Sequence, residues 1–135
     1  MASNVHPVRI YYEDTDLSGA VYHANYLKYF ERGREHLLGP DVLVRLLRDQ
    51  GTAFVVYKCE VTFKEPARLG DLLEVRTTVT LASDYRLTFG QAVWRPGAAG
   101  PMVFGTVELV CVDAAGKLVR VPAAVTEQLA KLTVE

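Results

Sequence analysis

The sequence predicts an α+β fold, in which one long helix near the start is wrapped by a five- to six-stranded antiparallel sheet. Three observations predict it. Apolar and aromatic residues recur at spacings of three and four from Tyr22 to Leu37, the mark of a single helical face. From Tyr57 onward the pattern changes to alternation with a period of two, in runs separated by short turns. Nineteen valines suit such a sheet, because β-branched side chains pack well on a pleated surface.

Each element follows in order. Val8 to Tyr12 reads as a short first strand, and Glu13 to Gly19 as a turn rich in Asp, Ser and Gly. Tyr22, Tyr26, Tyr29, Phe30, Gly33 and Leu37 then form one stripe of a helix from about Tyr22 to Leu38. Gly39-Pro40 ends it, because Pro cannot continue a helix. Asp41 is placed to cap a shorter helix through Leu47, stopped at Gly51. Tyr57 to Phe63 alternates as a strand, as do Leu73 to Leu81 and Tyr85 to Val93. Met102 to Val112 is nearly all apolar, which predicts a strand covered on both faces. After the turn at Ala114 to Lys117 come a short strand, Leu118 to Val121, and a helix opened by Pro122 and running to Leu132.

The 135 residues fit a single domain, 1–135, large enough for one ordinary core. Half are apolar and 23% are charged, which excludes a disordered or disulfide-scaffold chain. The formal net charge of −1 argues against nucleic acid as a partner. Cys59 and Cys111 lie in apolar runs with no ligand-spaced partner, so both are expected as buried small hydrophobes. No apolar stretch approaches the roughly 20 residues a membrane span needs, and the first residues lack the regions of a signal peptide. The expected setting is therefore cytoplasmic.

Chemistry concentrates between Tyr11 and Tyr29, where five of the seven tyrosines cluster with three acids. A carboxylate-bearing turn here runs straight into a helix start. The first N–H groups of a helix have no internal partner and carry the positive end of its dipole, so they can hold an anion or a developing oxyanion. Asp16 and such donors facing one small site would suit acyl transfer. Taken alone, an Asp before a helix is more often a turn former or cap, and His23 more often a packed or half-exposed side chain.

The run from Tyr11 to Leu38 resembles the signature of hotdog-fold acyl-CoA thioesterases of the YbgC and 4-hydroxybenzoyl-CoA types. The matching residues include Tyr12, Asp16, Gly19, Val21, Tyr22, His23, Asn25 and Tyr26, with Glu31, Arg32 and Arg34 further on. Pro66 to Asp71 resembles that family's turn between two strands. The resemblance implies a hotdog fold and a homodimer whose sheets join edge to edge, often assembled into a tetramer. It implies hydrolysis of acyl-CoA without a metal or other cofactor, coenzyme A being part of the substrate. It places Asp16 at the catalytic aspartate and the His23 backbone N–H at the donor that polarises the thioester carbonyl. Tyr12, Gly19, Val21, Tyr22, Asn25 and Tyr26 match positions around the substrate. The chain departs from many relatives at Gly33, where they carry Ala.

Several alternatives stay open. Asp16 can serve as nucleophile or as base toward water, and His23 can act through its backbone alone or also through its ring. Lys58, Lys64, Arg68 and Arg86 are candidate contacts for the coenzyme A phosphates, or ordinary solvated strand charges. A hydratase of the same fold is disfavoured, because none of His6, His23 and His36 lies in an Asp-x-Asn-Pro-x-His run. A non-catalytic acyl-thioester binder, a partner-binding scaffold or a thioesterase acting on acyl carrier protein are the competing readings.

Overall fold

Period-two runs and a mid-chain helix produce the expected layers. The computed structural model describes residues 2–133. The elements are β1 (Ala2–Arg9), α1 (Asn25–Leu38), α2 (Pro40–Gln50), β2 (Ala53–Phe63), β3 (Leu72–Ser83), β4 (Arg86–Trp94), β5 (Val103–Val112), β6 (Leu118–Val119) and α3 (Ala123–Leu132). The strands form one antiparallel six-stranded sheet in the order β1-β3-β4-β5-β2, with β6 paired to the end of β5. The strands at its edges are β1 and β2.

The helix α1 lies across β1, β3 and β4. Its buried stripe of Tyr26, Tyr29, Phe30, Gly33 and Leu37 is the one predicted from spacing without Tyr22, which precedes the helix and is half-exposed. That stripe meets Leu73, Val75, Phe89, Val93 and Val103 from the sheet in one core. Gly33 is the point of closest approach. A Cβ there would sit 2.8 Å from Val75 Cγ1, 2.9 Å from Thr77 Oγ1 and 3.1 Å from Gln91 Nε2. The helix can rest on the sheet at this point because the residue has no side chain.

A polar bracket ties the same helix to the sheet. Gln91 Nε2 donates to the Phe30 carbonyl at 2.8 Å and to Thr77 Oγ1 at 3.0 Å. The guanidinium of buried Arg34 donates to Gln91 Oε1 at 3.0 Å. Buried polar atoms are tolerated where each finds a partner, and here three elements share one network.

Five sequence expectations need correction. The first strand is Ala2–Arg9 rather than Val8 to Tyr12, and Tyr12 lies in a single 3-10 turn. The helix begins at Asn25 rather than Tyr22, because backbone pairing with Thr15 holds Val21 extended. Cys59 is exposed on edge strand β2, whereas Cys111 is buried as expected. One face of β5 alternates into the core, but Phe104 on the other is 39% exposed, so the strand is not covered on both sides. Pro122 caps α3 with an extended backbone instead of opening its first turn.

Candidate active site

Short backbone pairings shape the segment between β1 and α1. Thr15 pairs with Val21, the Asp16 N–H donates to the Ala20 carbonyl at 2.9 Å, and the Tyr22 N–H donates to the Asp14 carbonyl at 3.0 Å. The result is a narrow hairpin. At its tip Gly19 has φ of 80°, a left-handed conformation that suits glycine, and its N–H donates to the Asp16 carbonyl at 3.1 Å. Ala20 also pairs with Arg68, and the Val21 N–H donates to the Ala67 carbonyl at 2.9 Å. The hairpin is thus fastened to the Pro66–Asp71 turn, the second stretch singled out in the sequence.

Asp16 sits on the outer arm of this hairpin, exposed to solvent. Its Oδ1 accepts the Ser18 hydroxyl at 2.6 Å and the Ser18 N–H at 2.8 Å. The hydroxyl first, and then that N–H, hold the Asp16 carboxyl below the usual carboxylate range, with smaller help from the Ala20 backbone and Arg68. Asp16 is therefore ionised at neutral pH. Its Oδ2 has no donor among the described residues.

His23 and Ala24 form the turn ahead of α1. The N–H groups of Asn25, Tyr26 and Leu27 donate to the carbonyls of Tyr22, His23 and Ala24. Those of His23 and Ala24 find no acceptor among the described residues. Two free donors therefore stand at the positive end of a 14-residue helix. Asn25 braces the turn, its side-chain amide donating to the Asp14 carbonyl at 2.8 Å. The exposed His23 ring lies between Tyr22, with ring centroids 4.7 Å apart, and Phe63, at 6.0 Å.

The remaining candidates divide by position. Tyr12 is 82% exposed and Tyr22 half-exposed on the solvent side of the hairpin. Val21 and Tyr26 are buried behind it, and the Tyr26 hydroxyl accepts the Ala67 N–H at 2.9 Å. These two hold the loop from the core side. Arg68 belongs to the site through its pairing with Ala20. Lys64 follows Phe63 and is exposed beside it. Arg86 is not brought to the loop. It starts β4 opposite Ser83, at the far end of β3 from the Arg68 turn, and there it lies 3.6 Å from Glu108 and over the Tyr57 ring. Lys58 is occupied by Glu60 at 3.4 Å.

Sequence reasoning passed over Ser18 except as a turn former. The Asp-x-Ser spacing is its signal, since a side chain two residues on commonly bonds an Asp in such a turn. Phe63 carries no such signal, because it reaches the loop only through tertiary contacts. The arrangement supplies an ionised carboxylate on one arm of the hairpin and two unoccupied N–H donors where the other arm enters α1. That pairing can attack or hydrate a carbonyl and hold the oxygen that becomes negative.

Known proteins share this arrangement of chain. The thioesterase-like superfamily matches residues 11–129. An acyl-CoA thioesterase YbgC from Haemophilus influenzae is 40% identical over 109 residues, covering 79% of each chain. An acyl-CoA thioester hydrolase YbgC from Escherichia coli O6:H1 is 43% identical over 88 residues, which span 64% of this chain and 66% of that protein. The crystal structure of a probable thioesterase from Bartonella henselae superposes with a TM-score of 0.81 at 32% identity, covering 90% of this chain and all of that one. This chain therefore belongs to the thioesterase-like superfamily, with the hotdog fold.

Proposed function

We propose that the chain hydrolyses acyl-CoA thioesters to the free acid and coenzyme A. The relatives named as acyl-CoA thioesterases support the substrate class. The observation that carries the chemistry is the hairpin itself, one arm of which holds the ionised Asp16 while the other runs into a helix start with unoccupied N–H groups at His23 and Ala24.

In this reading the thioester oxygen rests on the His23 N–H. As nucleophile, Asp16 Oδ2 forms a bond to the carbonyl carbon, the C–S bond breaks, and coenzyme A leaves as a thiolate that takes a proton from water. Water then opens the mixed anhydride and regenerates Asp16. As base, Asp16 instead takes the proton of a water that attacks the same carbon, the C–S bond breaks, and the leaving thiolate takes up that proton. Either route develops negative charge on the oxygen at the helix start, where the dipole favours it. No metal or further cofactor has a part in either route.

An exposed carboxylate is strongly hydrated, so the site needs a cover during the reaction. A second copy of the chain paired along the edge of β2 would supply one, because Val56, Tyr57 and Phe63 there are 54%, 63% and 47% exposed. The resemblance implies the same edge-to-edge dimer, and a tetramer built from it.

The test is thiol release from a panel of acyl-CoAs by the wild-type chain and by Asp16→Ala. Release that vanishes in the variant supports the reading. Binding without release would make the chain an acyl-thioester binder. Release from acyl carrier protein but not from coenzyme A would move the substrate class.

A further inference from the structure

Tyr29 is fully buried on α1, yet its hydroxyl is the one buried side-chain polar atom without a hydrogen-bond partner among the described residues. An unpaired buried hydroxyl destabilises a fold relative to phenylalanine at the same place. Its retention here calls for a reason, and the surroundings supply one.

Asp14 is the group that faces this hydroxyl. Asn25 and Tyr29 are one helical turn apart, so their side chains share a face of α1 and lean toward its start. From that face the Asn25 amide already reaches the Asp14 carbonyl at 2.8 Å. Burial first, and then the charge of the Asp14 carboxylate and its pull on the hydroxyl proton, raise the Tyr29 pKa above that of an ordinary tyrosine. Arg32, its guanidinium 5.8 Å from the Tyr29 ring centroid, offsets only part of this. The hydroxyl therefore keeps its proton and is a donor. Asp14 has an acceptor to spare, because Oδ2 takes the Tyr11 N–H at 2.7 Å whereas Oδ1 takes no hydrogen bond from the described residues.

Asp14 also fixes the exit of the hairpin. Its carbonyl accepts the Tyr22 N–H at 3.0 Å together with the Asn25 side-chain amide. His23 and Ala24, which carry the free N–H groups, lie between those two anchors in the chain. A shift of Asp14 thus moves both ends of the turn that presents the oxyanion donors. Misplacement of a catalytic group by about 1 Å can slow a reaction about a hundredfold, so a bond that pins Asp14 bears on the rate.

We propose that Tyr29 is a positioning residue, its hydroxyl closing onto Asp14 Oδ1 and thereby holding the His23 and Ala24 N–H groups in place for the thioester oxygen. The catalytic part of this rests on the acyl-CoA reading above. Tyr29→Phe removes a single oxygen from the core, and its melting midpoint should be at or above that of wild type. In steady-state hydrolysis of an acyl-CoA, kcat and kcat/KM should fall together about tenfold with KM near wild type, because the loss falls on the transition state. Asp14→Ala removes the acceptor, and adding Tyr29→Phe to it should cost nothing more. Wild-type kcat in Tyr29→Phe overturns the proposal, and so does a loss that adds in full to that of Asp14→Ala. A lowered melting midpoint with unchanged kcat makes the hydroxyl an ordinary bonded core group and likewise overturns it. Amide hydrogen exchange reads the positioning without turnover. In Tyr29→Phe the Tyr22 and Asn25 N–H groups should exchange about tenfold faster, while those of β3 and β4 keep their wild-type rates. Unchanged exchange at Tyr22 and Asn25 overturns the proposal even if the rate of hydrolysis falls. If wild type cleaves no acyl-CoA, the acyl-CoA reading fails by itself, and exchange alone decides whether Tyr29 holds the turn.

Discussion

Ser18 donates both its hydroxyl, at 2.6 Å, and its backbone N–H, at 2.8 Å, to the same oxygen of Asp16. One carboxylate oxygen is thereby used to orient the group and the other is left for chemistry. The relationship is local, spanning two residues, yet it holds the charge state on which the proposed reaction depends.

Asp16→Asn removes the charge and keeps the shape. Turnover of the best acyl-CoA should fall by about a thousandfold, within the range for loss of a general base or nucleophile. The circular dichroism spectrum and melting midpoint should stay near wild type. Retention of a tenth or more of the activity would remove Asp16 from the mechanism.

Ser18→Ala removes the strongest influence lowering the Asp16 pKa. A carboxyl with a lowered pKa stays ionised to lower pH, and activity that needs the carboxylate is lost as pH falls through that pKa. Without the hydroxyl the pKa rises, so the acid limb of the pH–rate profile should move to higher pH. A limb that does not move, or moves down, contradicts the assignment.

Gly33→Ala tests the contact between helix and sheet. The added methyl would meet Val75 and Thr77 at under 3.0 Å. Overpacking of this kind costs about 1–3 kcal/mol, against a gain in helix propensity of about 1 kcal/mol. Urea denaturation should show a net loss of about 1 kcal/mol. A more stable variant would mean that the helix can lift without penalty.

Gln91→Leu breaks the polar bracket. It strands the Arg34 guanidinium and frees the Phe30 carbonyl and Thr77 hydroxyl of their shared donor. Each unsatisfied buried group costs about 1–3 kcal/mol, so destabilisation of about 3 kcal/mol or more is expected. The same urea series measures it.

Light scattering should give a mass of two or four times the 15.0 kDa chain. Tyr57→Lys on the exposed side of β2 should shift that mass toward one chain and lower activity with it. A wild-type monomer that is fully active would show that the hairpin needs no cover from a second copy.

Much of the architecture is legible in the chain because its causes are local. The alternation in β3 and β4 and the three-and-four spacing of Tyr26, Tyr29, Phe30, Gly33 and Leu37 follow directly from backbone geometry. The Asp16 turn is legible for the same reason, since Asp, Ser and Gly in sequence dictate a tight reversal. Element ends are less so. The periodicity of Tyr22 points to a helix, but backbone partners at Asp14 and Ala67 claim the segment through Tyr22 first.

What the sequence by itself determined is the order of elements, most of the buried stripe of α1 and the carboxylate-bearing turn in front of it. Only the tertiary structure decided which residues meet. It set the Tyr26 hydroxyl under Ala67, 41 residues away, and Arg34 on Gln91, 57 residues away. It stacked His6 on His36, and it carried Arg86 to the far end of the sheet from the hairpin. The physical reason is the range of the forces involved. Propensity and turn chemistry act over a few neighbouring residues, whereas the partner of a buried or charged side chain is chosen by how a helix lands on a sheet.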